Sequence, residues 1–519
     1  MRRNYLTINL KMNTEFSIEE LLALGNIPES LQAGSLRVAN GLLQRAGFSP
    51  EKIKQLFAEM LDNPKKLAYS KNKLTNLAKG IYELNQTGAN IALSEEGRAF
   101  LVAEADLVYK LEAKPKSHET DYELRTSALP YQIFGKEFIE AGAIRQMETA
   151  VSLPISVAGA LMPDAHQGYG LPIGGVLATE ADKIIPYAVG VDIACRMCLS
   201  VFDVRADIFK REPHLLKRSL VENTKFGIGG ETRDKMDSSV IDRPEWAATK
   251  TIRDLKDKAY RQLGTSGTGN HFVEWGLLEI TQTDSLLNLP LGTYLALLSH
   301  SGSRGFGANV ASYYSKLAMQ TTKLPREAAH LAWLDLNTEE GQEYWIAMNL
   351  AGEYASANHH EIHAKMAKAI AEKPLAMVEN HHNFAWKEQY QTREVLVHRK
   401  GATPAGTNDL GIIPGSMTAP GFLVRGLGNE AAINSASHGA GRLMSRTAAL
   451  NAITRNALNR AIEEAGIQLI GGDLDEAPMV YKDINNVINA QKELVKVLAT
   501  FTPKIVRMAD ANRKEGRED

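Results

Sequence analysis

Both cysteines of this 519-residue chain lie within residues 190–198, and this restricts the folds that are open to it. Two thiols cannot build a disulfide framework, so we expect a fold held by an ordinary hydrophobic core. Hydrophobic residues make up 44% of the chain and charged residues 23%, as in soluble globular proteins. We find neither a signal peptide nor an apolar run of bilayer-spanning length. The sequence therefore predicts a cytoplasmic protein with reduced thiols and no membrane segment.

The overall charge does not identify a partner. The formal net charge of −2 gives by itself no sign of nucleic-acid binding. Enzymes that act on nucleic acids often concentrate their basic residues in one groove, so an almost neutral chain can still bind RNA. Composition thus leaves an RNA substrate open, and the motifs have to decide.

Residues 1–115 predict a helical extension. Ser17 and Glu20 have the spacing of a capping box, and Ser49 before Pro50 fits a helix N-cap followed by proline. The apolar side chains that follow recur at helical spacing, at Ile53, Leu56, Phe57 and Met60. Helix-forming residues continue over 65–112. This segment carries no chemical signature, and we interpret it as an accessory for packing or recognition.

Residues 116–519 predict a second domain of mixed α/β (α+β) structure. Short β-branched runs at 176–179, Val397 and 412–413 indicate strands that end at functional loops. Helices are predicted over 362–371 and 443–464. The regular alternation of strands and helices that marks a doubly wound sheet is absent.

A candidate metal centre follows from five residues. Asp192 and Cys195 are three residues apart, and one tight turn can aim both at a common point. Loop-like segments, where ligands are commonly placed, add the imidazoles of His271, His300 and His382. These groups could hold two divalent ions if one ligand bridges them, and sulfur bridges well. Ligand softness alone favours zinc over manganese.

Plainer interpretations of the same residue types remain open. A Cys-x-x-Cys pair is elsewhere half of a zinc site or a redox motif, but no second pair and no thioredoxin-like pattern occur here. Cys198 could be only a small buried hydrophobic residue. We take isolated histidines such as His359 and His360 as structural.

Three segments could contact phosphates. The glycine-rich loop at 264–274 permits close backbone approach, although it has neither a Walker lysine nor Rossmann spacing. Residues 414–417 form a second tight loop that carries a hydroxyl. The run His398-Arg399-Lys400-Gly401 brings basic charge suited to phosphate, or it is a solvated charged turn.

The most specific candidate is His438-Gly439-Ala440-Gly441-Arg442. A neutral imidazole can attack a phosphorus centre, and an arginine can stabilise the charge that develops on the phosphoryl oxygens. If this turn is helical, Arg442 lies one turn beyond His438 on the same face. The alternative is a helix contact of small residues with an incidental histidine.

Taken together, these segments resemble the RtcB family of GTP-dependent RNA ligases, from about residue 129 to about residue 503. Seven motifs follow the order that they have in the family: Met162-Pro163-Asp164-Ala165-His166-Gln167-Gly168-Tyr169-Gly170, Gly190-Val191-Asp192-Ile193-Ala194-Cys195, Gly267-Thr268-Gly269-Asn270-His271-Phe272-Val273-Glu274, His300-Ser301-Gly302-Ser303-Arg304-Gly305, His382-Asn383, Pro414-Gly415-Ser416-Met417 and His438-Gly439-Ala440-Gly441-Arg442. The resemblance implies an RtcB-like fold, with central β-sheets flanked by helices.

The resemblance also implies a reaction. Cys195 would bridge two manganese ions, with Asp192 and His271 completing one ion and His300 and His382 the other. His438 would attack the α-phosphorus of GTP to give a histidine–GMP adduct. GMP would then pass to an RNA 3′-phosphate, and a 5′-hydroxyl would displace it. A 2′,3′-cyclic phosphate would first be opened by water.

Further site residues follow from the resemblance. Asp164 would orient His438, and Arg442 would act in catalysis beside it. The implied nucleotide contacts are Asn270, His271, Phe272, Val273, Glu274, His382, Asn383, Pro414, Gly415, Ser416, Met417, His438, Gly439, Ala440 and Gly441. The implied partners are broken or cleaved RNA, such as tRNA or rRNA, and for some family members archease.

The chain departs from the family pattern at three places. Ala194 and Arg196 replace glycines around Cys195, and Arg196 is expected to put a cation beside the metals. Residues 418–421 lack a hydroxyl that contacts the nucleotide in the family. The family often ends on a lysine that contacts guanine, whereas this chain reads Lys504-Ile505-Val506-Arg507-Met508-Ala509 and then runs on. These differences suggest a divergent branch, and two alternative functions stay open: a metal-dependent phosphoesterase and a non-catalytic RNA-end-binding protein.

Overall fold

The computed structural model describes residues 15–46, 48–68, 74–86, 120–232 and 238–510. The chain divides into two compact units, residues 1–118 and 119–519. A domain boundary between residues 115 and 116 stays a prediction, and the helix-forming residues 87–112 lie outside the described ranges. Within those ranges, no helix combines the length and the apolar character that crossing a bilayer requires.

Helices form the described part of the first unit: α1 Ile18–Leu22, α2 Glu29–Ala46, α3 Pro50–Asp62, α4 Pro64–Ala68 and α5 Thr75–Gln86. The capping box at α1 is confirmed, because Ser17 Oγ accepts from Glu20 N at 3.3 Å and the Glu20 carboxylate accepts from Ser17 N at 3.0 Å. Ser49 caps α3 in the same way, accepting from Lys52 N at 3.3 Å. The predicted apolar face of α3 is buried in a cluster with leucines of its neighbours.

Two large sheets and two short ribbons form the framework of the second unit. The strands are β1 Gln132–Ile133, β2 Ser156–His166, β3 Ile173–Glu180, β4 Lys183–Ile184, β5 Arg196–Phe202, β6 Phe272–Ile280, β7 Gly292–Ser301, β8 Leu334–Asp335, β9 Pro374–His381, β10 Asn383–Tyr390, β11 Arg393–Lys400, β12 Ala402–Pro404, β13 Leu410–Ile413, β14 Gly421–Gly426, β15 Ser435–Ser437, β16 Gln468–Ile470 and β17 Val495–Met508. One sheet has the order β1-β2-β3-β11-β10. The other has the order β13-β14-β17-β6-β7-β5-β9, with β16 also on β17. The three predicted strand segments are thus confirmed.

The helices of this unit are α6 Ala141–Val151, α7 Pro186–Val189, α8 Ile208–Arg211, α9 Pro213–Asn223, α10 Lys250–Gln262, α11 Arg304–Thr321, α12 Glu339–Ala369, α13 Arg446–Ala452, α14 Arg455–Glu464 and α15 Ile484–Asn489. Short 3₁₀ helices span Lys136–Phe138, Ser239–Asp242, Pro244–Ala247, Arg326–Leu331, Glu430–Ala432, Leu474–Glu476 and Pro478–Val480. The predicted helix at 362–371 is only the end of the long α12. The predicted helix at 443–464 is two helices, because Thr454 starts a new one by accepting from Ala457 N at 3.2 Å.

The larger sheet has two different faces. Residues directly opposite one another on antiparallel strands point to the same side. Met197 pairs with His300, and His300 pairs with Phe272, so these three lie on one side, the cavity face. Cys198 pairs with Ser299 and lies on the other side, the helix face. There Phe202, Trp275 and Leu297 pack against Ile362 and Met366 of α12.

One of the connections between the two large sheets is a single residue. β9 belongs to the larger sheet and ends at His381, whereas β10 belongs to the smaller sheet and begins at Asn383. His382 therefore lies where the sheets meet. Its backbone N–H donates to Cys195 O at 3.0 Å, which ties this junction to the start of β5.

Candidate functional site

The five predicted metal ligands come together at the end of the larger sheet. Cys195 immediately precedes β5, His271 precedes β6, and His300 lies near the end of β7. Cys195 Sγ lies 3.4 Å from His271 Nε2 and 3.0 Å from His300 Nε2. The Nε2 atoms of His300 and His382 are 3.2 Å apart, and Asp192 Oδ2 lies 3.0 Å from His271 Nε2. We call this set the candidate metal centre.

The donor set fits divalent cations. Cys195 Sγ lies between two imidazoles, which is the position that a bridging thiolate needs. Burial, with the neighbouring histidines, lowers the pKa of His300 to about 3 and that of His382 well below its usual value, so both rings are neutral. Burial would raise the pKa of Asp192, but its hydrogen bond to His271 and the charge of that ring hold it below its ordinary value. Neutral imidazoles and an ionised carboxylate are the forms that bind metals.

The backbone at this centre is unusually close-packed. A Cβ atom at position 302 would overlap the Asp192 carboxylate, so any other residue there would displace this ligand. Ala194 adopts a left-handed conformation with φ 58°, and its N–H donates to Asn383 O at 2.7 Å. The departure from the family's glycine at 194 therefore leaves an alanine in a conformation that costs roughly 1–2 kcal/mol.

The predicted pair of Asp164 and His438 is present in the structure. His438 Nδ1 lies 2.7 Å from Asp164 Oδ2, and the same oxygen accepts from the His438 backbone N–H at 3.1 Å. Burial would raise the pKa of Asp164, but the His438 hydrogen bond and the nearby charges of His438 and Lys482 keep it below its ordinary value. The ionised carboxylate holds the proton of His438 on Nδ1, which leaves the lone pair on Nε2. The His438 ring centroid is 4.8 Å from that of His382.

The helical interpretation of residues 438–442 is wrong. The segment forms bends, and its backbone continues into an isolated bridge between Arg442 and Tyr481. The Arg442 side chain lies 3.4 Å from the Glu476 carboxylate and donates to Asp475 O at 2.7 Å. Arg442 still borders the same cavity as His438, so its catalytic role stays a proposal.

A cavity of about 470 Å³ opens beside the candidate metal centre, within the size range of small-molecule sites. Most of the predicted nucleotide contacts line it: Asn270, Phe272, Glu274, His382, Asn383, Pro414, Gly415, Ser416, Met417, His438, Gly439, Ala440 and Gly441. Asp192, Cys195 and His300 also line it, whereas His271 lies behind Asp192 and Cys195. Residues from segments far apart in the chain therefore share one cavity.

Strand alternation corrects two expectations. Val273 pairs with Ser299, so its side chain lies on the helix face with Phe202 and Trp275 and does not line the cavity. Arg196 also points away from the candidate metal centre. Its guanidinium lies 2.8 Å from the Glu379 carboxylate and 2.7 Å from His381 Nδ1. The expectation of a cation beside the metals is therefore wrong.

One wall of the cavity carries a buried acid. Glu274 points to the cavity face, and burial raises its pKa well above the usual value. Among the described residues, no cation or hydrogen-bond donor pairs with its carboxylate. The region where the family's lysine is missing contributes the apolar side chains of Val506 and Met508. Burial therefore favours the protonated form of this carboxyl group, and hydrogen-bond donors of a ligand would favour its ionised form.

Sequence reasoning undervalued several other residues of the cavity. Lys400 is buried, donates to Tyr169 O, and has its pKa lowered to about 7 by burial. The solvated-turn interpretation of residues 398–401 is thus wrong, because β11 lies between β3 and β10. His166, Arg446, Glu476 and Tyr481 line the cavity as well. Among His166, Arg446, Glu476 and Tyr481, only His166 belongs to one of the seven sequence motifs.

Comparisons with known proteins agree with this geometry. A family model described as tRNA-splicing ligase RtcB matches residues 146–509. The RNA-splicing ligase RtcB of Escherichia coli (strain K12) is 36% identical over 414 residues, covering 73% of this chain and 98% of that protein. The tRNA-splicing ligase RtcB of Thermococcus kodakarensis is 30% identical over 418 residues, covering 66% of this chain and 86% of that protein.

Proposed function

The chain belongs to the RtcB family of RNA-splicing ligases, and on that premise we propose that it joins an RNA 3′-phosphate or 2′,3′-cyclic phosphate end to a 5′-hydroxyl end through a His438–GMP intermediate. One observation carries the proposal. The Asp164–His438 pair, at 2.7 Å, borders the same cavity as the converging metal ligands. A nucleophile and a cation-binding cluster within one cavity fit nucleotidyl transfer.

His438 is the nucleophile in this proposal. Asp164 accepts a hydrogen bond from His438 Nδ1–H, so the neutral form of the ring carries its lone pair on Nε2, as in other carboxylate–histidine pairs. Nε2 attacks the α-phosphorus of GTP. The new P–N bond forms as the bond to the β-phosphate oxygen breaks, and pyrophosphate leaves. Arg442, held by Glu476 and Asp475, is the proposed donor to the phosphoryl oxygens.

The candidate metal centre would hold two manganese ions. Asp192, Cys195 and His271 would bind one ion, and Cys195, His300 and His382 the other. When bound, such ions neutralise phosphoryl charge and lower the pKa of a coordinated hydroxyl or water. The protein's own part is to hold His438 beside them. GMP then passes from His438 to the RNA 3′-phosphate, and the 5′-hydroxyl displaces GMP to form the phosphodiester.

Glu274 is the proposed base-recognition residue. Guanine presents N1–H and N2–H side by side, and an ionised carboxylate can accept from both. Burial alone favours the protonated form of Glu274, so these two donors would have to stabilise the ionised form. Adenine has an acceptor at N1 and could not stabilise the carboxylate in this way. Glu274 is therefore the proposed residue that selects GTP over ATP.

RNA repair or tRNA splicing in the cytoplasm is the proposed role. Cleaved tRNA or rRNA would supply the ends. Activation by archease belongs to the same proposal, and adding archease is therefore one arm of the test.

The test is incubation with manganese and GTP radiolabelled at the α-phosphate, followed by a denaturing gel. Wild type should acquire an acid-labile, alkali-stable label, and His438→Ala should acquire none. His214→Ala, at an exposed position away from the cavity, is the matched control and should label like wild type. Labelled enzyme should then join a 3′-phosphate oligonucleotide to a 5′-hydroxyl one.

Two results would contradict the proposal. Failure to label with GTP, even with archease added, would favour a metal-dependent phosphoesterase. RNA-end binding that survives both His438→Ala and metal removal, in a protein that does not label, would favour a non-catalytic binding protein.

A further inference from the structure

We propose that Cys198, Ser299, His359 and His363 form a second metal site, which holds one zinc ion between α12 and the helix face of the larger sheet. We call these four residues the helix-face cluster. The proposal does not depend on the ligase activity, since none of the four lines the cavity.

The cluster combines residues from three elements. His359 and His363 are four residues apart on α12, so their rings lie on one face of that helix. Cys198 of β5 and Ser299 of β7 are directly paired and point toward the helix. The ligand atoms of Cys198, His359 and His363 all lie within 4.8 Å of one another. The exposed fraction of each of the four residues is 1% or less.

Ser299 brings a fourth ligand atom into the same space. Its Oγ lies 2.7 Å from His359 Nδ1 and 2.8 Å from His363 Nε2. The Cys198 sulfur and the two imidazole nitrogens are donors that zinc commonly takes, and the neutral Ser299 hydroxyl, now hydrogen-bonded to both rings, would be a weaker fourth ligand. The hydrophobic interpretation of Cys198 does not explain why its thiol is placed among a hydroxyl and two imidazoles.

His359 Nε2 and His363 Nδ1, the ring nitrogens that point away from the cluster, each have a hydrogen-bond partner. His359 Nε2 donates to Ser301 O at 3.1 Å, which leaves the lone pair of Nδ1 directed toward Ser299 Oγ in the cluster. His363 Nδ1 lies 2.7 Å from Ser200 Oγ. Histidines that bind metals usually have their other nitrogen fixed by such a partner, because this sets the tautomer and the ring orientation.

The protonation states are compatible with zinc. Burial lowers the pKa of His363 to about 3 and that of His359 well below its usual value, so both imidazoles are neutral. Burial raises the pKa of the Cys198 thiol, so a thiolate there requires a cation. The charged groups that act on the cluster include Arg196 and His360, and both pair with Glu379, at 2.8 Å and 3.4 Å.

The proton balance of binding is simple. Zinc displaces the Cys198 thiol proton, which is released to solvent, and forms the bond to sulfur. The proton of His363 moves from Nε2 to Nδ1, and Nδ1–H then donates a hydrogen bond to Ser200 Oγ. Ser299 Oγ and His359 Nδ1 contribute lone pairs without losing protons. No redox step or further reactant is needed.

The site is closed, because no ligand of the cluster lines the cavity. A closed four-ligand zinc site is structural rather than catalytic. Here the ion would tie α12 to β5 and β7, the strands next to Cys195 and carrying His300. Its expected effect is on the stability of the folded chain.

The first test is the zinc content of the full chain after dialysis against a chelator, measured by elemental analysis. The Cys195→Ala variant is the reference, because it removes the bridging ligand of the candidate metal centre. We expect about one tightly held zinc per chain in this variant, and none once Cys198→Ala or His363→Ala is added. Adding His360→Ala, on the same helix and half-exposed, should leave the zinc in place.

The second test needs no change within the cluster. The Cys195→Ala protein is loaded with cobalt, and a thiolate-to-cobalt charge-transfer band should appear, since Cys198 is then the only cysteine. Circular dichroism checks that the chain is folded. Absence of both the band and the zinc would overturn the proposal and leave the cluster as a network of hydrogen bonds bridged by Ser299.

Discussion

The candidate metal centre and the helix-face cluster use the same kinds of side chain but enclose them differently. In the first, the buried Nδ1 atoms of His271 and His382 have no hydrogen-bond partner within the described part of the chain. In the second, every ring nitrogen of His359 and His363 has a partner. The first also opens into a cavity of about 470 Å³, whereas the second is sealed beneath α12.

This difference teaches that enclosure, more than residue type, separates the two clusters. A catalytic metal site keeps a coordination position for its substrate, whereas a structural site fills its positions with protein atoms. Changes near the cavity should therefore affect chemistry, and changes in the helix-face cluster should affect stability. Three predictions test that division, from the largest expected effect to the smallest.

Asp164→Asn should lower the rate of GTP labelling by roughly 10³–10⁴-fold, because an amide can hold the His438 ring in the wrong tautomer. The folded state should be little affected, since the amide fills the same volume. Labelling kinetics and thermal melting of the same preparation make the measurement. A variant that melts at a much lower temperature but labels at the normal rate would contradict the prediction that changes beside the cavity affect chemistry rather than stability.

Ser299→Ala should lower the free energy of unfolding by about 1–3 kcal/mol, because it removes the hydroxyl that two buried imidazoles share. Labelling by GTP should stay near the wild-type rate. Denaturant unfolding measures the first effect, with Thr293→Ala, exposed on the same strand, as control. If the labelling rate of Ser299→Ala fell together with its free energy of unfolding, the effects of the two clusters on chemistry and on stability would not be separate.

Lys400 should make stability depend on pH at the cavity side. Its pKa is lowered to about 7 in the folded chain, against about 10.4 for an unfolded lysine. Between these values the unfolded chain binds more protons, so stability rises with pH, by at most about 1.4 kcal/mol per pH unit from this group. Lys400→Met should flatten that rise. Unfolding curves of wild type and Lys400→Met, measured at several pH values from 7 to 10, test this. If the free energy of unfolding has the same slope against pH in both proteins, the prediction is wrong.

Local patterns predicted much of the fold. The capping box at Ser17 and the N-cap at Ser49 are short-range signals, and both are confirmed. The break between α13 and α14 was also encoded locally, because Thr454 is an N-cap residue. Helix-forming residues on both sides concealed it. Lys400 was misjudged because burial depends on β11 lying between two other strands, which no local pattern states.

The candidate metal ligands were found because they stand in four recognisable segments, one of which carries both Asp192 and Cys195. Their residue types indicated a shared metal centre, and the family resemblance added which ligands would bind which ion. Arg196 and Val273 were misplaced for a simpler reason: neighbouring residues of a strand face opposite sides. The helix-face cluster was missed because His359 and His363 acquire meaning only beside Cys198, a contact between residues far apart in the chain.

The single-residue connection at His382 has a mechanical consequence. A connection this short, tied by its N–H to Cys195 O, leaves β9 and β10 little freedom, and an ion bound to the imidazole would add a further restraint between the sheets. Such coupling is reciprocal, so a force that shifts the sheets must change the affinity for the ion by the same free energy. Any change that shifts β9 against β10 would therefore alter how tightly His382 holds an ion, even where it touches none of the ligands.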